Sequence, residues 1–290
     1  MQTILVTTDF TNASHNALLY GLGMARAFKA RIILFHAYQL QAMAVPDMAT
    51  VVVPEEATRA AVMDRLSQHL RAVGDAGIDV ELLAVEGQAS RAIVQAAEER
   101  KADLIISGMK SHSKTFRQIF GSTVTDLAKH THTPLIVVPE EAHYQPPSKI
   151  ALASDIEPET DVHTLDALAE IGERFQSKVF VIRVISNRFE EVYELLHKTE
   201  KLNRLSRKLE TQFTYAQNKD VADALSFFVQ AERINLLAMV PHKHTLLEKW
   251  FFKSTTKAMI FKSPVPVLVL PEKTVHYEPA GKRAEHHSGL

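Results

Sequence analysis

The chain contains the same sequence unit twice, over residues 4–140 and again over residues 150–272. Each copy opens on an apolar run that ends in aspartate, at Asp9 or Asp155, and each closes on a proline-bounded apolar run. A repeat of this length predicts two similar domains, each with its own core. One copy can therefore keep a ligand site that the other copy has lost.

The length of 290 residues agrees with two domains of ordinary size. We assign the first domain to residues 1–145, the second to residues 146–272, and a polar tail to residues 273–290. The boundary falls at the Pro146-Pro147-Ser148 stretch, where a linker is expected.

Composition excludes several classes of protein. Hydrophobic residues make up 46% of the chain and charged residues 23%, with a net charge of −1, so neither nucleic acid nor an anionic membrane is predicted as a partner. No apolar run is long enough to span a membrane, and the first residues lack the features of a secretory signal. Cysteine is absent, which removes disulfides, thiolate metal sites and cysteine nucleophiles. We expect a cytoplasmic protein.

Apolar runs alternate with helical patterns along both copies, which is typical of βαβ units and a parallel sheet. The first-copy helices are predicted over residues 12–29, 55–76 and 88–100, with another beginning near residues 121–123. The predicted strands cover residues 3–8, 31–38, 78–85, 103–107 and 135–138, and in the second copy residues 149–153, 178–185, 211–216, 235–240 and 267–270.

Residues 39–54 form a long apolar connection with no clear periodicity, either a packed loop or a mobile flap over a site. The second copy is shorter, most simply through a shorter loop after its second strand.

The fourth strand of the first copy runs into Gly108, and a helix begins near Gly121. Glycine at this point allows a positive φ and lets a ligand approach main-chain amides, at the sheet edge where open α/β folds bind ligands. The start of the helix offers unpaired N–H groups together with the hydroxyls of Ser122 and Thr123. Lys110 and other basic residues lie nearby, which favours a phosphate site. The alternative is that Gly108 makes a plain turn and Ser122 a plain helix cap.

The spacing resembles the nucleotide motif of the universal stress proteins: glycine, two residues, glycine, nine residues, then Gly-Ser/Thr. Here the motif reads Gly108, Met109-Lys110, Ser111, nine residues and Gly121-Ser122, with Ser111 in place of one glycine. The opening segment around Asp9 and the closing strand also resemble this family, and the resemblance covers both copies.

The resemblance implies two tandem five-stranded, Rossmann-like domains of the adenine nucleotide alpha hydrolase-like type. It further implies that the last strands of the two domains pair antiparallel, which joins the domains as an internal pseudo-dimer. Two such chains could in addition form a homodimer. The ligand would be ATP, ADP or AMP, with or without Mg²⁺, bound by the first copy. The implied contacts are Asp9 and the main chain at His36 and Ala37 for the adenosine, and Gly108, Lys110, Ser111, Gly121, Ser122 and Thr123 for the phosphates. For Asp9, a helix cap is the alternative.

The second copy departs from this motif. Val240 replaces Gly108, Lys243 replaces Ser111 and Lys253 replaces Gly121, while Pro241 removes an amide from the loop. We expect this copy to be a structural or regulatory partner without the phosphate site.

Two other patterns are rejected. Gly21-Leu22-Gly23 imitates a dinucleotide fingerprint but lies inside a helical pattern, and the paired histidines lack the carboxylates that would support a metal site.

The predicted function is a stress-response regulator without enzymatic activity, acting with an unidentified protein partner. Three alternatives stay open: an interaction module that no longer binds nucleotide, a slow ATP hydrolase, and a carrier of an apolar ligand at residues 39–54.

Overall fold

The computed structural model describes residues 1–40, 42–43, 51–52, 54–74, 77–110, 122–153, 163–185, 200–218, 220–241 and 263–271. The predicted site residues Ser111 and Gly121 lie outside this part of the chain, as do Asp155, Lys243 and Lys253. Most of the 39–54 connection also falls outside it, together with the ligand hypothesis attached to that connection.

Strands and helices alternate through both halves. The described helices are α1 Asn12–Phe28, α2 Glu55–Arg71, α3 Ala89–Glu99, α4 Ser122–His130, α5 Asp166–Phe175, α6 Glu200–Lys208 and α7 Val221–Ala231. The described strands are β1 Thr3–Thr7, β2 Arg31–Tyr38, β3 Ala42–Met43, β4 Val51–Val52, β5 Val80–Glu86, β6 Leu104–Met109, β7 Leu135–Pro139, β8 Lys149–Ala153, β9 Lys178–Ile185, β10 Thr211–Gln217, β11 Leu236–Met239 and β12 Val267–Val269.

Ten strands form one sheet in the order β10-β9-β8-β11-β12-β7-β6-β1-β2-β5. Five come from each half, and neighbours within a half are parallel. The halves meet through β7 and β12, which pair antiparallel. The predicted α/β class and the internal pseudo-dimer are confirmed.

The order of strands changes direction between β1 and β6. From β1 the chain moves outward through β2 to β5, and then returns to place β6 and β7 on the other side. Ligands of open α/β sheets bind beyond the carboxyl ends of the strands at such a switch point. In the first half this point lies beyond Thr7 and Met109.

The two halves repeat small details as well as the topology. The Asp103 carboxylate accepts hydrogen bonds from the main-chain N–H groups of Gln2 and Thr3, and the Asn235 side chain accepts from Ser148 and Lys149. Each polar residue thus anchors the start of its copy's first strand.

Helix α2 ends five residues before its predicted end at residue 76. Val62 and Leu66 are its buried residues, so the last turns have little apolar surface to hold them on the sheet. Ala72 caps the helix through main-chain bonds to Gln68 and Leu70, and Gly74 follows with φ of 76°. A left-handed glycine is a common helix terminator.

The 39–54 connection contains a short antiparallel pair, β3 with β4, outside the main sheet. The connection between the second and third strands of the sheet covers residues 39–79 in the first half and residues 186–210 in the second. The expected shortening of the second copy lies here.

Apolar side chains cover both faces of the sheet in clusters that run through both halves. Helices α1 and α5 meet across the domain boundary, where the rings of Phe28 and Phe175 pack edge to face with centroids 5.9 Å apart. Among the described helices, none combines the length and the apolar character that crossing a membrane requires.

Candidate functional site

A cavity of about 320 Å³ lies at the switch point of the first half. This volume is at the lower end of the range for small-molecule sites. Its lining comes from the ends of β1, β2 and β6 and from the first turns of α1, α3 and α4, and consists of Thr7, Thr8, Asp9, Thr11, Ala13, Ser14, Phe35, His36, Ala37, Ala89, Ile93, Ser107, Gly108, Met109, Lys110, Thr123 and Val124.

Gly108 is part of strand β6, and its role differs from the predicted turn. A β-carbon at this position would lie 2.3 Å from the carbonyl oxygen of Ala13 and 2.8 Å from the main-chain nitrogen of Ser14. No side chain fits in that space, because real β-carbons stay farther from backbone atoms. The glycine is therefore required by the close approach of α1 to β6, not by a positive φ.

Asp9 organises the turn that leads into α1. Its Oδ1 accepts hydrogen bonds from the Thr11 main-chain N–H at 3.1 Å and from the Thr11 hydroxyl at 2.5 Å. The helix cap is Thr11, whose side chain accepts from the N–H of Ser14. The alternative prediction, that Asp9 itself caps the helix, is therefore wrong. The cap lies two residues later, and Asp9 holds it in place through hydrogen bonds.

The hydrogen bonds also fix the charge of Asp9. Burial alone would raise the pKa of this carboxyl group, but the bonds from Thr11 and Ser14 favour the carboxylate and lower the pKa below its ordinary value. The cavity therefore has a negative charge at the end of β1 at neutral pH.

Phe10 follows with φ of 64°, a left-handed conformation that bulky residues rarely adopt. The centroid of the Phe10 ring lies 4.5 Å from the centroid of the His36 ring. The guanidinium carbon of Arg65, on α2, lies 4.1 Å from the same Phe10 centroid. These contacts hold the strained turn in place.

His36 connects this turn to strand β2. Its Nδ1 lies 2.7 Å from the carbonyl oxygen of Thr8. A carbonyl oxygen only accepts hydrogen bonds, so Nδ1 carries a proton and donates it. The Nε2 atom is then the acceptor in the neutral ring.

Two further histidines, His15 and His69, lie near Phe10 and contact each other. The ring of His69, on α2, lies 5.3 Å from the ring of His15 and 5.8 Å from that of Phe10. Burial lowers the pKa of His69, the neighbouring His15 lowers it further, and Asp9 acts in the opposite direction. Neutral His69 therefore packs against the turn that forms one wall of the cavity.

A layer of hydroxyl groups lies between the strands and the first turn of α1. The Thr7 hydroxyl donates to Ser107 across β1 and β6 at 2.9 Å, and the Thr8 and Ser14 hydroxyls are 3.0 Å apart. Beneath this layer, Phe35, Ile93 and Met109 are buried and give the cavity an apolar floor.

The opposite end of the cavity carries positive charge. Lys110 is exposed directly after β6, and Thr123 lies in the first turn of α4. The first turns of α1, α3 and α4 all reach the cavity, and the N-terminal end of each helix brings a partial positive charge. This end is suited to an anion.

Six of the residues predicted from the sequence line this cavity: Asp9, His36, Ala37, Gly108, Lys110 and Thr123. Ser122 is the first residue of α4, directly before Thr123. The other residues of the lining were not predicted from the sequence: Thr7, Thr8, Thr11, Ala13, Ser14, Phe35, Ala89, Ile93, Ser107, Met109 and Val124. Polar residues near the carboxyl ends of two adjacent parallel strands are a signal that could have pointed to Thr7 and Ser107.

The second half differs at the equivalent point. The paired registers of β6 and β11 place Val240 at the position of Gly108. Val240 therefore has a β-carbon at the position where the first half has glycine. Helix α5 begins at Asp166, after a turn at residues 163–165. The equivalent residues 17–19 of the first half lie within α1. In the second half the position of Gly108 thus carries a branched side chain.

No group of three or more histidine, aspartate or glutamate side chains suited to a metal ion occurs among the residues that the structure describes.

The fold and the cavity define a tandem pair of α/β domains with a cavity at the switch point of the first. A model of the universal stress protein family matches residues 1–139 and again residues 147–271. The chain belongs to the universal stress protein family.

Similar proteins agree with this assignment. A universal stress protein of Methanocaldococcus jannaschii is 24% identical over 136 residues, which is 47% of this chain and 80% of that protein. One of Thermus aquaticus is 28% identical over 138 residues, which is 47% of this chain and 98% of that protein. The crystal structure of a universal stress protein from Archaeoglobus fulgidus superposes with a TM-score of 0.68 and 17% identity, covering 93% of this chain and 96% of that chain. This last similarity supports the tandem fold.

Proposed function

We propose that this chain is a cytoplasmic universal stress protein that binds ATP or a related adenine nucleotide in its first domain. It acts as a regulator in the stress response and signals to a partner protein through its surface. The second domain supports the sheet and carries no nucleotide.

The observation that carries the proposal is the polarity of the cavity. Asp9, His36 and Ala37 lie at the end formed by β1 and β2, whereas Lys110 and Thr123 lie at the end formed by β6 and α4. A nucleoside matches the first end, with hydrogen-bonding groups over an apolar floor. Phosphates match the second, where helix N-termini and a lysine favour negative charge.

Magnesium would be held by the nucleotide more than by the protein. Asp9 is the one carboxylate among the described residues that line the cavity, and it lies at the nucleoside end. A Mg²⁺ ion at the other end would therefore be coordinated by phosphate oxygens and water.

Binding is favoured over hydrolysis by the same arrangement. The lowered pKa of Asp9 makes it a weak base, and His36 uses its Nδ1 proton to hold the Thr8 carbonyl. Within the described part of the chain, neither group lies at the phosphate end where a water would be activated. The slow hydrolase therefore ranks below the binding regulator.

The experiment is calorimetric titration of the nucleotide-stripped chain with Mg-ATP, followed by the same titration of Lys110→Glu. Lys110 is exposed after the carboxyl end of β6, so reversing its charge should leave the fold intact and weaken phosphate binding. One nucleotide per chain is expected, with affinity reduced roughly tenfold or more in the variant.

Lys101→Glu is the matched control, because Lys101 is an exposed lysine before the other end of the same strand. It should bind as the wild type does. Absence of heat and of any shift in melting temperature at millimolar ATP would overturn the proposal and leave an interaction module. Steady-state release of phosphate by the wild type would instead establish the hydrolase.

A further inference from the structure

Two buried hydroxyl groups lie side by side in the cavity of the first half. Thr7 ends β1, Ser107 lies near the end of β6, and both residues line the cavity. Only 8% of Thr7 and 5% of Ser107 is exposed to solvent. The Thr7 hydroxyl donates a hydrogen bond to Ser107 Oγ at 2.9 Å. This bond uses the proton of Thr7 and a lone pair of Ser107, so the proton of Ser107 remains available.

The Ser107 proton has no acceptor among the residues that the structure describes. In the same row of the sheet, Phe35 lies opposite Thr7 on β2 and Val137 lies opposite Ser107 on β7. Neither of these side chains has an atom that accepts a hydrogen bond. A buried donor without a partner is unfavourable and needs an explanation. A ligand in the cavity that Ser107 lines would supply the missing acceptor.

The second half shows that the sheet forms without such a pair. At the equivalent place Met239 of β11 lies opposite Ala153 of β8. The neighbours in that row are Ile182 on β9 and Val269 on β12, so the whole row is apolar. Apolar side chains therefore fill the place that the hydroxyl pair holds in the first half. The pair occurs in the half with the candidate ligand cavity, which favours a role in binding over a role in the fold.

The hydroxyl pair lies between the two ends of the cavity. Thr7 comes two residues before Asp9, at the end proposed for the nucleoside, and Ser107 comes three residues before Lys110, at the end proposed for the phosphates. In a nucleotide, the group between the base and the phosphates is the sugar. The hydroxyl groups of a ribose both accept and donate hydrogen bonds, so they can receive the Ser107 proton.

We infer that Ser107 is a specificity residue that donates a hydrogen bond to a ribose hydroxyl oxygen of the bound nucleotide. The inference rests on the proposed nucleotide binding by the first domain. Thr7 is a positioning residue, because its own proton occupies one lone pair of Ser107 and thereby orients the Ser107 hydroxyl. A site built to bond a hydroxyl group rejects the analogue that lacks it, so the pair favours ribonucleotides over deoxyribonucleotides.

The first test is calorimetric titration of wild type and Ser107→Ala with the magnesium salts of ATP and of its 2′-deoxy and 3′-deoxy analogues. The wild type should bind ATP roughly tenfold or more tightly than at least one deoxy analogue. Ser107→Ala should bind ATP roughly tenfold more weakly and should lose this preference. The reason is that the variant has no donor left to detect the missing hydroxyl.

The second test concerns the positioning role of Thr7. Thr7→Val keeps the shape of the side chain but removes the donor, so it should weaken ATP binding by the wild-type chain. It should have little further effect in Ser107→Ala, where there is no hydroxyl to orient. Thr7→Ser keeps the donor and should preserve the affinity. Thr3→Val is the matched control, because Thr3 is a buried threonine at the opposite end of β1 and its replacement should leave binding unchanged.

Melting temperatures without ligand separate a role in binding from a role in the fold. Thr7→Val/Ser107→Ala removes both hydroxyl groups, and replacing both partners of a buried hydrogen bond with apolar groups is nearly neutral or stabilising. The double variant should therefore melt at the temperature of the wild type or above it. A clear fall in its melting temperature would assign the pair to the fold and overturn the inference.

ATP binding that Ser107→Ala leaves unchanged would also overturn the inference, as would a loss of affinity that is equal for ATP and both deoxy analogues. In these cases the wild type still binds ATP, so the proposed function stands. A wild-type chain that binds none of the three nucleotides would overturn the proposed function and the inference together.

Discussion

Val137 of β7 lies directly opposite Val267 of β12, and neither side chain is accessible to solvent. This pair lies at the joint between the two domains, where two final strands that would each be an exposed edge cover one another. The apolar clusters on both faces of the sheet continue across the joint. The two halves therefore share a core in addition to a sheet.

Shortening a buried side chain at this joint should destabilise the whole chain. Leu268 is fully buried opposite Ile136, so Leu268→Ala should cost about 2–5 kcal/mol of unfolding free energy. Because the core is shared, denaturant unfolding should remain a single transition in the wild type and the variant. Leu19→Ala, at a site that is 42% exposed, should change stability by less than about 0.5 kcal/mol. Two separate transitions would contradict the shared core.

Gly108→Ala should damage both stability and the cavity. The added methyl carbon would meet the Ala13 carbonyl oxygen at 2.3 Å, so α1 must move away at a cost of about 1–3 kcal/mol. Nucleotide binding, measured by calorimetry, should fall with it. Gly74→Ala is the control: its φ of 76° costs about 1 kcal/mol, but open space surrounds it and binding should persist. Equal binding by both variants would show that the approach of α1 to β6 is unimportant for the ligand.

Asp9→Asn should destabilise the chain at neutral pH and much less in acid. The pKa of Asp9 is lowered from 3.8 in the folded state, so the unfolded chain takes up this proton first as the pH falls. The stabilisation is complete above the unfolded pKa and is lost as the pH drops through the folded pKa. Melting temperatures of wild type and variant should therefore converge below about pH 4. A difference in melting temperature between wild type and Asp9→Asn that stays constant from neutral pH into acid would contradict a role of the Asp9 charge.

His69 should make the chain less stable as the pH falls below neutrality. Burial and His15 lower its pKa from 6.5, so the unfolded state binds the proton more tightly and stability declines below pH 6.5. Melting curves between neutral and acidic pH should show a smaller decline in His69→Gln. His15→Gln removes the repulsion but leaves the burial, so its decline should be intermediate. Identical pH profiles for wild type and His69→Gln would exclude this histidine as the cause.

Much of the candidate site could be predicted because its residues follow strand ends that are visible in the sequence. Asp9, His36, Ala37 and Gly108 each lie at or just after an apolar run, and parallel strands bring their carboxyl ends to one edge. The contacts of Phe10 with His69 and Arg65, beside the turn at Asp9, could not be predicted. Residues of α2 reach the turn only because β2 places that helix beside α1, which no local pattern records.

Gly108 illustrates the same limit. The position of Gly108 in the sequence indicates that a glycine is needed there. The physical reason could not be predicted, because the main-chain atoms that exclude a β-carbon belong to Ala13. The glycines of Gly21-Leu22-Gly23, which imitate a ligand motif, also make close contacts, with the side chains of Val6 and Tyr144. The contacts that make these glycines necessary come from residues distant in the chain.

The sequence by itself determined the repeat, the alternation of strands and helices and the loss of glycine from the second copy, since these depend on the order and periodicity of neighbouring residues. The tertiary structure alone decided which strand ends meet around the cavity, which residues surround the histidines, and that β10 and β5 are the outer edges of one sheet. These relations depend on strand order and register, which are fixed by the packing of segments far apart in the chain. An uncharged strand is consistent with a buried centre or an exposed edge until its neighbours are known.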